Sequence, residues 1–361
     1  MTDDNDDRQT PSCRSTRRGV FDEFVGFSPR LWHRATRKNR GAAGPTETNL
    51  CSRPRPSRQP TLSVQFTNST GAADINMSRA AESPNQPLRY PGVGHCIYCG
   101  VTSSEAKLTD EHVIAYGLGG NLVLPDASCL ACAKETSRVE RHCLHGMLGN
   151  ARIRLGLPTR RRHQRPDTIE VKMKAAGEPT IGVPVSDFPV MIMMPKLAPP
   201  GILFGREPSS AFQMDGGWAH RFDLDTMDQI RRIGIGGLPI LQFEPWKFGL
   251  MLAKIGHAAA VAACGAGNFT PYLPDIILGK SSLAPHFIGS TTATPAEVDG
   301  SLHEITVSLA SFPSGQFIVT FIRLFAFLGA PTYAVVAGKP IESGGRQHLL
   351  VPWRSGTSAP L

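Results

Sequence analysis

Cys96-Ile97-Tyr98-Cys99 and Cys129-Leu130-Ala131-Cys132 set two Cys-x2-Cys bites into one short stretch, with Glu111-His112 and the run Gly117-Leu118-Gly119-Gly120 between them. Two such bites, separated by a loop of this length, supply the four thiolates of a tetrahedral Zn2+ site. Cys96, Cys99, Cys129 and Cys132 are therefore the expected ligands of a structural zinc. The acid-histidine pair between them suits different chemistry. A carboxylate holds a hard divalent cation, and an imidazole that titrates near neutrality accepts a proton from water. Neighbouring residues on a strand point to opposite sides, so Glu111 can serve a metal while His112 serves as a general base.

Positioning these groups requires a turn, a strand and a helix in quick succession. Residues 95–100 read as the first knuckle, 105–113 as a turn entering a short strand, and 127–148 as a helix that starts near the second knuckle. Gly119-Gly120 provides the tight turn after the strand.

The ordered set Cys-x2-Cys, Glu111-His112-Val113-Ile114, Gly117-Leu118-Gly119-Gly120, Cys-x2-Cys resembles the HNH endonucleases over about residues 96–140. A looser likeness, to bacterial proteins described as HNH endonucleases, reaches through the C-terminal half. The resemblance implies a ββα-metal module that hydrolyses DNA phosphodiester bonds; a cytoplasmic location is expected separately, from a start that does not read as a signal peptide. It puts the base on His112 and a ligand of one catalytic divalent ion (Mg2+, Mn2+, Ni2+ or Zn2+) on Glu111. Two positions depart from the family pattern. Ala133 stands where many Cys-containing members carry an asparagine metal ligand, so Glu140, two helical turns past Cys132, becomes the expected donor, with Thr136, His142 and His145 nearby. Leu124 stands where the family's bracing asparagine falls; Asn121 takes its place in the expected catalytic set, with Asp126 and Ser128 as alternatives. These departures keep a second reading open: a catalytically impaired zinc protein that still binds nucleic acid. In a third, the C-terminal domain recognises a partner or modified DNA and the nuclease module is its effector.

Charge and composition agree with a nucleic-acid partner. The chain has 361 residues, a formal charge of +8 and a pI near 9.2, and the basic excess is uneven. Residues 1–90 hold 14 Lys/Arg against 9 Asp/Glu, and residues 91–165 hold 10 against 6. Arg152, Arg154, Arg160, Arg161, Arg162 and Arg165 crowd a Pro-bounded segment directly after the cysteine module. Guanidinium groups are permanently charged and forked, which suits phosphate oxygens.

These features divide the chain into a disordered basic and polar tail (1–89), the zinc-knuckle module (90–150), a basic linker (151–167) and a separate α+β domain (168–355). The tail lacks apolar periodicity and is rich in Arg, Ser and Pro. Its acidic, polar start does not read as a signal peptide, so a reducing compartment is expected, and Met77 is a plausible alternative translation start. In the C-terminal domain, strands are expected over 169–173, 190–194, 304–310, 316–327 and 333–337. Residues 246–264 read as a helix whose small residues allow close approach to a sheet, stopped by Gly265. Lys254 and His257 interrupt its apolar run, which argues against a membrane span. His257 is expected to be a hydrogen-bonded core histidine. The segment Gly234-Ile235-Gly236-Gly237 lacks the setting of a nucleotide-binding loop.

Overall fold

The computed structural model describes residues 87–160, 163, 165–172, 180–222, 243–291, 301–341 and 353–354. Residues 1–86, Arg161, Arg162 and the 234–237 glycine segment lie outside them. The described chain is a mixed α+β fold, as expected.

Strand β1 (Leu88–Arg89) pairs in parallel with β3 (Leu122–Cys129), whose other edge pairs antiparallel with β2 (Leu108–His112). Helix α1 (Leu130–His145) follows β3 without a loop. The order is thus hairpin, then helix. The helix expected from residue 127 begins at Leu130, because β-pairing runs on to Cys129. Within the hairpin, Thr109 faces Ser128 and Glu111 faces Leu124, so β3 carries two extra residues over that step. Pro125 has no N–H for the ladder, and Asp126 takes a left-handed φ of 50°, so the irregularity falls where regular pairing is weakest.

A short helix α2 (Gly149–Arg154) leads into two hairpins: β4 (Thr168–Lys172) with β5 (Thr180–Pro184), and β6 (Met191–Leu197) with β7 (Met214–Arg221). The strand at 214–221, with three small residues and few branched ones, escaped the sequence reading. The largest sheet among the described residues joins β10 (His303–Phe312), β11 (Gly315–Leu324) and β12 (Tyr333–Pro340) as an antiparallel meander. Short strands β8 (Phe269–Pro271), β9 (Ile288–Ser290) and β13 (Trp353–Arg354) extend it. The expected strand at 316–327 stops earlier, at Leu324, because Phe325 adopts a φ of 53° and opens a 3-10 turn.

Helix α3 (Pro245–Cys264) lies at the centre. Proline in its first turn and Gly265 after its last residue mark its ends. Length and composition alone would let it cross a bilayer, yet most of it is buried inside the protein. One face packs on the large sheet: a Cβ at Gly256 would come within 2.5 Å of Val335, and Thr320 donates a 3.0 Å hydrogen bond to the Gly256 carbonyl. Another part of the helix reaches the cysteine module. Side chains from before and after the 151–167 segment share one apolar cluster, from Cys96 to Ala337.

His303, at the start of β10, ties the sheet to the glycine turn. The Phe325 N–H donates to its Nδ1 at 3.1 Å, which leaves Nε2–H to donate to the Leu118 carbonyl at 2.7 Å. Burial holds this imidazole at a pKa of about 4, below the ordinary 6.5, with the Leu118 carbonyl pulling weakly the other way. Between those values the unfolded chain binds a proton that the folded chain refuses. The contribution of His303 is therefore complete above pH 6.5 and is lost as pH falls toward 4, by roughly 3 kcal/mol. We expect His303→Gln to flatten the decline of melting temperature over this range, measured by thermal unfolding against wild type. Equal slopes for the two proteins would remove His303 as a source of acid sensitivity.

Candidate functional site

The first cysteine pair sits in a turn built by backbone bonds: Cys96 N–H donates to Val101 O and Gly100 N–H to Cys96 O, both at 2.8 Å, with Gly100 at a φ of 80°. The second pair straddles the junction of β3 and α1, with Cys129 as N-cap and Cys132 in the first turn. Strand pairing brings the two knuckles together. The four sulfurs lie within 4.8 Å of one another, and Cys99 Sγ is 3.7 Å from Cys129 Sγ. A tetrahedron with Zn–S bonds of ~2.3 Å has an edge of about 3.8 Å, so the cluster could hold a metal ion such as zinc. Burial would raise the Cys129 thiol, but the Cys132 N–H and the surrounding sulfurs outweigh it and bring the pKa to about 7. Burial and the same neighbours push Cys132 up. Cys143 and Cys264 stand apart as free thiols.

Helix α3 braces this centre from below. The buried His257 donates from Nε2 to the Ile97 carbonyl at 2.7 Å, inside the first knuckle. Burial lowers its pKa to about 4, so the ring is neutral; it is a core histidine as expected, satisfied at Nε2 while its Nδ1 is buried without a partner.

Glu111 and His112 diverge, as alternation on a strand requires. Glu111 is buried and points at α3, where its Oε1 lies 2.7 Å from Lys254 Nζ. Glu140, on α1, brings its Oε1 to 2.7 Å from the same nitrogen. Lys254 Nζ also donates to the His112 carbonyl, with Val113 O at 3.4 Å. The structure thus gathers the two carboxylates expected to bind a catalytic metal, but around an ammonium group. Burial disfavours the Lys254 charge, and the two carboxylates more than reverse this and hold its pKa above the usual range. Burial also pushes Glu111 up, against the pull of Lys254. As they stand, the facing oxygens of Glu111 and Glu140 do not fit a divalent cation, because the ammonium already occupies their convergence.

His112 turns the other way, into a cleft of about 620 Å³ lined by Tyr116, Asn121, Thr159, Arg160 and His163. Burial, then Lys254 and Arg160, depress its pKa below 6.5, so the neutral ring dominates at pH 7. His112 Nδ1 and Asn121 Oδ1 are both buried without a hydrogen-bond partner.

The basic segment divides. Arg152 is turned inward, donating to the carbonyls of Gly117 at 2.5 Å, Leu144 at 2.9 Å and Pro158 at 3.5 Å. Arg165 donates to the Leu157 carbonyl. The Arg152 guanidinium therefore braces the backbone, while Arg165 commits one of its nitrogens in the same way. Arg160 is exposed at the cleft, Arg154 is half-buried on α2, and Arg161 and Arg162 are outside the described residues. Of the alternative donors, His142 pairs with Glu244 at 3.1 Å, and Thr136 is buried with its hydroxyl on the Ala133 carbonyl.

Sequence reasoning missed Lys254 and His303 as supports of the site. Lys254 had a legible signal: a lone charge inside an apolar helix is almost never buried without a partner. His303 had none, because its two partners are backbone groups of distant segments.

Removing one thiolate should disable the four-sulfur cluster. Cys96→Ser is expected to lose about one bound metal ion per chain and to lower the melting temperature, read by metal analysis after purification and by thermal unfolding. Full metal content in this variant would remove Cys96 from the ligand set.

No protein-family model, curated protein or solved structure matches this chain. What the site does is therefore inferred from its own geometry.

Proposed function

We propose that this protein is a zinc-stabilised nuclease of HNH type that hydrolyses DNA phosphodiester bonds, with His112 as the general base. One observation carries the reading. At the end of a hairpin strand, followed directly by a helix and framed by four clustered cysteines, an imidazole opens into a cleft that also holds Asn121, Arg160 and His163.

In this reading a phosphodiester enters the cleft and the Arg160 guanidinium pairs with its non-bridging oxygens. A neutral His112 takes a proton from a water molecule aligned opposite the leaving oxygen. The depressed pKa keeps His112 in its base form at neutral pH, at the cost of some basicity. Asn121 lines the same cleft, and its Oδ1, a buried acceptor without a partner, is suited to fix the imidazole tautomer. Cys96, Cys99, Cys129 and Cys132 would hold a structural zinc, which would fix the start of α1 against the first knuckle. A divalent cation bound with the substrate would supply charge stabilisation at the scissile phosphate; the Glu111–Glu140 pair, already facing Lys254, would not be what holds it.

The Lys254 ion cluster also favours a second reading. A chain whose two candidate metal carboxylates are tied up by a lysine fits a zinc module that binds nucleic acid without cutting it. The two readings part in a plasmid-relaxation assay with Mg2+, Mn2+ or Ni2+, run beside a DNA-binding measurement. The nuclease reading expects cleavage that rises with pH through the depressed His112 pKa and levels off near neutrality. It also expects His112→Ala to lose about 10²- to 10⁴-fold in rate while keeping DNA affinity. Binding without cleavage in every metal would support the second reading, and cleavage that survives His112→Ala would rule out the assigned base.

A further inference from the structure

Two carboxylate oxygens from different elements, each 2.7 Å from one buried point, make a cation site by any chemical criterion, and the cation at that point is Lys254 Nζ. Three oxygens lie close around the ammonium: Glu111 Oε1 and Glu140 Oε1, each 2.7 Å away as an ion pair, and the His112 carbonyl as a hydrogen-bond acceptor. The site is largely withdrawn from solvent: the Lys254 side chain is 2% exposed, that of Glu111 7% and that of Glu140 16%. A hydrated divalent ion such as Mg2+ keeps several of its waters when it binds, and a largely buried site already holding a positive charge offers it neither room nor favourable charge.

We infer that Lys254 is a built-in cation: its ammonium takes the place that a divalent metal would need between Glu111 and Glu140, and the wild-type protein binds no such metal there. The likeness to HNH nucleases identifies this as the relevant place, so the inference rests on the proposed function for its meaning. It does not rest on that function for its test, which reads metal binding and needs no cleavage. The inference has a chemical corollary. Deleting the ammonium leaves two buried carboxylates facing one cavity without a counter-ion, and a hard divalent cation is the group best able to satisfy them.

The test is a Mn2+ titration of zinc-loaded full-length protein, followed by the free-ion electron paramagnetic resonance signal, on wild type, Glu140→Gln, Lys254→Ala and the double variant Lys254→Ala/Glu140→Gln. Wild type and Glu140→Gln should behave alike, with no binding that depends on Glu140. Lys254→Ala should take up about one further Mn2+ per chain and gain several degrees in melting temperature on saturation, and the double variant should lose both effects. The inference is overturned if wild type binds a Mn2+ that Glu140→Gln abolishes, or if folded Lys254→Ala gains none. Where Lys254→Ala does not fold without metal, the comparison of wild type with Glu140→Gln decides alone. Failure of the nuclease reading would show instead as an inactive wild type with these metal titrations unchanged.

Discussion

Burying an ammonium group costs several kcal/mol unless oxygen atoms surround it, and Lys254 sits where helix α3, strand β2 and helix α1 meet to supply them. That requirement couples parts of the chain far apart in sequence. Glu111 must leave the hairpin inward, Glu140 must lie on the face of α1 turned to α3, and the carbonyl of His112 must be aimed at the same nitrogen. Since β2 is fixed through Glu111 and through the His112 main chain, the His112 ring is left to project on the opposite side. The cleft histidine is placed, in effect, by the charge behind it.

The same helix supports the cysteine frame through His257 and rests on the large sheet through Gly256, so α3 links the site to the meander. From the sheet itself, His303 holds the carbonyl of Leu118 in the glycine turn. Arg152 grips the Gly117 carbonyl of that turn from α2. Three distant residues therefore fix two short loops that local sequence could not rigidify, since turns rich in glycine lose much conformational entropy on ordering. In this light the C-terminal half serves at least as a scaffold beneath the motif, whatever else it binds.

The motif itself is closely bound to its scaffold. Gly120 allows no side chain, because a Cβ there would lie 2.0 Å from the Ile114 carbonyl oxygen. The turn that follows the base strand is accordingly packed against its own entry, and the glycine serves this packing directly.

Much of the local structure could be read from residue type and spacing. The two Cys-x2-Cys bites announced a four-sulfur cluster because each bite is short enough to fix its own geometry. The small residues of α3, with its glycine stop, announced a helix lying close on a sheet, and the β-branched runs announced β10 to β12. Alternation on a strand was enough to send Glu111 and His112 to opposite sides. Sequence could not say what Glu111 and Glu140 converge on, nor that Arg152 turns inward, nor that His303 holds the glycine turn. Those outcomes depend on contacts across more than a hundred residues for Lys254 and His303, and for Arg152 on carbonyl groups that every residue carries alike. A backbone acceptor leaves no mark in the sequence, and an ammonium between two acids can be recognised only once three separate elements have been packed around it.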